Sequence, residues 1–243
     1  MLSEDSYGSA IVSTNGIRVR YSYATPVICE PSVGDVVSFG RELHMSEAGF
    51  GDVKAMIAAY RLVCSNGATL PSLFGIVRRS MNPKTQRSKS IDTFMEGFDS
   101  LIPDTRVLDL IFSKMLSEEV FDDDYVSFAD NVNKVFPTKL YGDFSGTDPE
   151  STELKRFGYG LMGIDDTIDT VKKEVQARNR MAKQDLFGEA PERKKIDSVS
   201  YYDLYNKITE LPHSFPTDFN RRMKVEEIGG KLLAHVLSTL SNN

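Results

Sequence analysis

Apolar and polar positions alternate with period two through the first 80 residues, and after residue 90 the apolar spacing lengthens to three and four. The first pattern predicts strands and the second predicts helices. Residues 10–14 and 17–23 flank Asn15-Gly16, a pair that tolerates positive φ at both centres of a type I′ turn, so a hairpin is expected there. In its second run Ile17, Val19, Tyr21 and Tyr23 share one face, while Arg18, Arg20 and Ser22 share the other. Residues 36–45 alternate as well: Val37, Phe39, Leu43 and Met45 point one way, with Arg41 as the exception among them. A glycine-rich connection, Ala48-Gly49-Phe50-Gly51, leads into residues 53–64, whose nearly unbroken apolar character fits a buried strand or a helix. A second pair, Asn66-Gly67, is read as another turn, followed by an extended stretch over 70–79. Together these predict a curled antiparallel sheet.

The later half reads as helices. Val107, Leu108, Leu110, Ile111 and Met115 recur on one helical face. Ser117 precedes the acids Glu118, Glu119, Asp122, Asp123 and Asp124, which suggests an N-cap with favourable charge in the first turn. Ile164, Ile168, Val171 and Val175 form an amphipathic stripe, and residues 219–240 predict a terminal helix weakened by Gly229-Gly230. Segments 142–150 and 185–195 are expected loops. The order of elements predicts an α+β fold in one domain over 1–243, with strands over 1–90 and helices over 91–243 that pack the sheet.

Composition narrows the class. Of 243 residues, 40 % are apolar and 26 % charged, which is globular and neither disordered nor collagen-like. No stretch reaches the ~20 apolar residues of a membrane helix. The opening MLSEDSYGSA has no basic n-region followed by an apolar block, so a cytoplasmic protein in a reducing compartment is expected, with no membrane partner. Cys29 and Cys64 belong to no CxxC and read as small buried hydrophobes. The net charge of −6 argues against indiscriminate affinity for polyanions. Its distribution is uneven, however. Between Asp52 and Asp92 there is no acid, yet Lys54, Arg61, Arg78, Arg79, Lys84, Arg87 and Lys89 all lie there. Local potential rather than net charge governs encounter with phosphates.

No nucleophile elbow, HExxH, P-loop or dinucleotide fingerprint occurs, and His44, His213 and His235 stand far apart. An enzyme is therefore not expected, nor a cofactor. Asp122, Asp123 and Asp124 have the oxygen chemistry for Mg²⁺ or Ca²⁺, but consecutive helical residues diverge, so they read as a solvated acidic segment and not as a metal site. The densest positive signal is residues 76–90. Arg78 and Arg79 end a strand; Lys84, Arg87 and Lys89 sit in a loop opened by Asn82-Pro83, among Ser80, Thr85, Gln86 and Ser88. Arg18 and Arg20 beside Tyr21 and Tyr23 combine cations with rings that either stack on unpaired bases or belong to the core. Lys155-Arg156, Arg193-Lys194-Lys195 and Arg221-Arg222-Met223-Lys224 add basic groups in the helical half.

Gly34-Asp35-Val36, the turn Met45-Ser46-Glu47-Ala48-Gly49 and the run Arg61-Leu62-Val63-Cys64-Ser65-Asn66-Gly67 resemble an uncharacterised family of phage and plasmid proteins with an R-x-V-C-[ST]-N-G signature. Met45-Ser46 stands where that family has Asn-Ser, and Arg78-Arg79-Ser80 lacks its Arg-His. The resemblance covers residues 34–82 and implies a phage origin with a mainly antiparallel sheet. It also implies a role like those of phage proteins that handle single-stranded DNA, including RNA polymerase cofactors of N4-related phages. Arg61 is the polar position it singles out. The resulting expectation is a sequence-tolerant single-stranded DNA-binding protein acting in transcription, replication or recombination, with a phage RNA polymerase or replication protein as partner and homo-oligomerisation left open. Its binding residues would be Arg18, Arg20, Tyr21, Tyr23, Arg61, Arg78, Arg79, Lys84, Arg87 and Lys89. The alternatives are a modulator of a host protein and a nuclease built on Asp122, Asp123 and Asp124.

Overall fold

The computed structural model describes residues 8–13, 16–46, 52–61, 67–80, 89–135, 167–184, 193–210 and 219–240. The alternating segments become strands β1 (Gly8–Ser13), β2 (Gly16–Ser32), β3 (Asp35–Ser46) and β4 (Asp52–Arg61), each antiparallel to the next. Pairing of β1 with β2 closes with Ser13 opposite Gly16, so Gly16, expected in a turn, opens β2, while Asn15 lies outside the described residues. Of the nearly continuous apolar run over 53–64, residues 53–61 form a strand whose Val53, Ala55, Met56, Ile57, Ala58 and Ala59 are buried on both faces, as central strands are, and 62–64 lie outside the described residues. β2 shifts register after Ser22 and again after Cys29, irregularities that bend a long strand and curl the sheet. β5 (Gly67–Thr69) and β6 (Val77–Ser80) both pair with the same edge of β4, and the sheet does not close on itself.

The extended stretch expected over 70–79 is interrupted. β5 pairs as far as Ala58 and β6 resumes at Ala55, so the intervening chain must leave the sheet. It does so as the single helical turn α1 (Pro71–Phe74), begun by a proline whose missing N–H is harmless there and ended by Gly75 at φ 80°.

Helices α2 (Lys89–Ser100), α3 (Thr105–Ser117), α4 (Asp122–Val135), α5 (Thr167–Gln184), α6 (Tyr201–Glu210) and α7 (Phe219–Leu240) follow, with β7 (Glu119–Phe121) and β8 (Lys195–Ser200) paired as a small second sheet. The fold is α+β. One hydrophobic cluster joins Val37, Phe39, Ala55, Ile57 and Ala59 of the sheet to Phe98, Leu108, Ile111, Phe112, Tyr205 and Leu233 of the helices. Arg41 sits among these odd-numbered sheet positions because it has a job there. Its guanidinium donates to the carbonyls of Asp99 (3.0 Å) and Leu101 (3.2 Å) at the end of α2 and lies 5.0 Å from the centre of the Phe98 ring.

Two helix expectations need correcting. Leu110 is exposed, and Phe112 takes the buried place beside Leu108, Ile111 and Met115. Ser117 ends α3 and its hydroxyl donates to Lys114 O; it caps nothing downstream, because β7 intervenes before the acids begin α4. In the stripe predicted for α5, Val175 is buried and Val171 half-buried, while Ile164 lies outside the described residues, as do segments 142–150 and 185–192.

Gly229-Gly230 lies inside α7 without ending it. A Cβ on Gly230 would stand 1.8 Å from Thr69 O, and one on Gly229 would stand 3.3 Å from the Ala68 side chain. The two glycines lose helix propensity so that α7 can lie directly on β5. That close approach fixes where the N-terminal half of α7 falls, beside the even-numbered face of the sheet. Among the described residues no helix is long and apolar enough to cross a membrane.

Candidate basic cleft

Strand pairing puts directly opposite residues on one face. His44 lies opposite Arg18 and Lys54, and Lys54 lies opposite Arg78, so four basic residues form one row across β2, β3, β4 and β6. The next row along the same face holds Arg20, Glu42 and Met56. These are the even-numbered positions, the face turned away from Val37, Phe39 and Ile57.

At its β2 side this face is closed by a buried ionic cluster. Arg18 is 1 % exposed; it donates to Glu42 and, across 208 residues of sequence, to Glu226 on α7. Arg20 Nε lies 3.3 Å from Glu42 Oε2, and its Nη2 lies 3.5 Å from Glu226 Oε1. His44 Nε2 is 2.5 Å from Glu42, and Tyr60 donates its hydroxyl to the same carboxylate at 2.7 Å. Burial alone would raise the Glu42 carboxyl, yet Arg18, with His44 and Arg20, holds it well below the usual carboxylate range. Burial would likewise lower Arg18, but Glu42 and Glu226 keep it above its ordinary value. Arg222 is the member left short. Burial lowers it despite Glu226, and among the described residues its Nε finds no hydrogen-bond acceptor, nor does Nη1 of Arg18. Among the described residues, three arginines thus meet two glutamates.

Beside it opens a cleft of 580 Å³ lined by His44, Lys54, Met56, Thr69, Pro71, Ser72, Ile76, Arg78, Met223, Lys224 and Glu227. The sheet supplies the floor, the excursion through α1 one wall and the start of α7 the other. Among the described residues no carboxylate pairs with Lys54, Arg78 or Lys224, and Glu227 is engaged by Lys231 at 3.0 Å. Three cations without a carboxylate partner among the described residues therefore converge on the recess.

The predicted binding residues fare unequally against this geometry. Arg78 is exposed and lines the cleft. Arg79 does not join it: alternation turns it to the opposite face, opposite Val53, with its Nε buried. Arg18 cannot meet a ligand phosphate, being enclosed by α7 and neutralised by two glutamates, and Arg20 is drawn into the same cluster with its guanidinium 4.4 Å from the centre of the Tyr60 ring. Tyr21 and Tyr23 lie in β2, Arg61 ends β4 and Lys89 opens α2, but their side chains lie outside what is described, as do Lys84 and Arg87 altogether. Lys54, His44 and Lys224 were missed as site residues. Lys224 belongs to the basic run at 221–224, and Lys54 to the acid-free segment. What singles them out is the register, which no local pattern displays.

The acids Asp122, Asp123 and Asp124 each have partners. Arg178 grips Asp122 with two bonds of 2.7 and 2.8 Å, Arg193 donates to Asp123 at 2.8 Å, and Asp124 receives Tyr201 (2.5 Å) and lies 2.9 Å from His235. Arg193 also stands 2.6 Å from Asp124. This cluster ties α4 to α5, α6, α7 and the approach to β8, and it consumes the basic group of Arg193. Lys194 is 3.5 Å from Glu174.

Fold and site together define an α+β protein with a half-open basic cleft between a curled sheet and its last helix. No protein-family model matches the chain, and neither a curated protein nor a solved structure does.

Proposed function

We propose that the chain binds single-stranded nucleic acid, with DNA favoured, through the cleft between the even-numbered face of the sheet and α7. The observation that carries this reading is the convergence of Lys54, Arg78 and Lys224, each without a carboxylate partner among the described residues. Uncompensated cations in a recess hold phosphates, and binding of this kind is tolerant of sequence. The recess favours single strands. A duplex is stiff over ~150 base pairs and presents its phosphates on a rod, whereas an unpaired strand bends into a groove. On this reading the chain acts in phage transcription, replication or recombination inside a bacterial cell, beside a phage RNA polymerase or replication protein; the phage assignment draws on the resemblance over residues 34–82.

Fluorescence anisotropy with labelled single strands and duplexes of equal length tests it. The single strand should bind more tightly at every salt concentration tried, and equal or tighter duplex binding would overturn the reading. A second reading, docking on a host protein, draws on Ile91 and Met95, which are 45 % and 41 % exposed one turn apart on α2. It takes the lead if neither form of nucleic acid binds.

A further inference from the structure

The cleft is lined by two kinds of side chain. Lys54 and Arg78 on the sheet and Lys224 on α7 supply cations, with the His44 ring and the Glu227 carboxylate also in the lining. The rest of the lining is largely apolar. Met56 follows Lys54 on the same face of β4, Ile76 comes just before β6, Pro71 opens α1, and Met223 precedes Lys224 on α7. Thr69 and Ser72 add hydroxyls. Lys54 and Met56 are two residues apart on one strand, hence roughly 6.7 Å apart along it. That separation is comparable to the span from a nucleotide's phosphate to its base. The volume of 580 Å³ lies within the usual range for small-ligand sites, about 300–1,000 Å³.

A surface that only followed a phosphate backbone would have no use for recessed apolar lining. Thioether side chains suit a planar ring of any identity, because they are polarizable and adapt their shape. Four apolar side chains beside the cations fit one flat heterocycle whose phosphate reaches the basic row.

We infer that the cleft is a nucleotide-unit pocket: one nucleotide of the bound strand enters it, phosphate against Lys54, Arg78 and Lys224, base between Met56, Ile76, Pro71 and Met223. This rests on the strand-binding reading and adds to it that the protein grips a single nucleotide as well as a charged backbone. Free nucleoside monophosphates then compete with the strand, and the base contributes to that competition without strong preference among bases.

Displacement of a labelled oligothymidylate, followed by anisotropy, tests this with three probes: thymidine monophosphate, deoxyribose 5-phosphate and inorganic phosphate. Thymidine monophosphate should displace the strand at concentrations about tenfold lower than deoxyribose 5-phosphate, the worth of one buried base. The M223A variant should narrow that gap and weaken strand binding by no more than the same factor. Equal potency of the nucleotide and the sugar phosphate on the unaltered protein would overturn the pocket and leave strand binding standing. Thymidine monophosphate binding without any strand binding, read directly by calorimetry, would overturn the strand reading alone. Because the three probes are compared on the native sequence, the result does not depend on how well the variant folds.

Discussion

Arg18 and Arg78 occupy one row of the sheet, joined through His44 and Lys54, yet they do opposite things. Arg18 is sealed between Glu42 and Glu226 and holds α7 to the sheet; Arg78 is exposed at the cleft with no partnering acid among the described residues. The difference lies in what covers each end of the row. Removing one member of a buried ion cluster leaves its partner desolvated and unpaired, at a cost of about 3–5 kcal/mol. Glu226→Ala should therefore lower unfolding stability in urea by an amount of that order, whereas Lys224→Ala, at an exposed position two residues away, should change it by less than ~0.5 kcal/mol. Acid gives a second test. Glu42 stays ionised in the fold below the ~4.3 of a free glutamate. Its contribution is complete above that pH and is lost as the pH falls toward the folded value, because the unfolded chain takes up the proton first. Urea midpoints measured from pH 6 down to pH 3 should decline, and they should decline less in Glu42→Gln; parallel declines would show that another carboxylate governs acid unfolding. Cys29 offers a simpler check. Burial, helped by Asp109, pushes its thiol up to about 12, so it should resist alkylation until the chain unfolds.

At the scale of elements, the helix–sheet contact that builds the cleft depends on the absence of a side chain. α7 can reach β5 only because residue 230 has no Cβ, which would otherwise meet Thr69 O at 1.8 Å. Gly230→Ala would raise helix propensity and still should destabilise the protein by about 1–3 kcal/mol or more, since backbone must move to admit the methyl group. The same variant should weaken strand binding, because Met223 and Lys224 ride on that helix; a neutral or stabilising outcome in urea would mean that α7 tolerates displacement. Much of this architecture is written in local pattern. Alternation gives β2 and β3, and the three-to-four spacing gives α3 and α7. The turn of α1, the pairing of β7 with β8 and the shared edge of β4 are not local. They follow from pairings between segments far apart in sequence, which no run of neighbouring residues displays. The site divides in the same way. Arg78 and Lys224 stand out as members of basic runs, while Lys54 and His44 acquire meaning only through register. Arg18 was misjudged because the carboxylates that neutralise it come from positions 24 and 208 residues away.

For the whole molecule, a net charge of −6 coexists with a recess lined by the cations Lys54, Arg78 and Lys224. The acids that set the sign are used elsewhere: Asp122, Asp123 and Asp124 hold helices together through Arg178 and Arg193, and Glu42 and Glu226 anchor α7. Lys54, Arg78 and Lys224, without a carboxylate partner among the described residues, are gathered at the cleft. An acidic protein with such a recess would repel polyanions over most of its surface and admit them at one site. Salt dependence of single-strand affinity tests that account most directly. For single strands log K falls against log salt by about 0.7 for each phosphate neutralised. The triple variant K54A/R78A/K224A should therefore bind more weakly at low salt and show a slope shallower by about 2 than the native protein, with an unchanged far-UV spectrum. A folded triple variant that retains both the affinity and the slope of the native protein would contradict the assignment of the cleft.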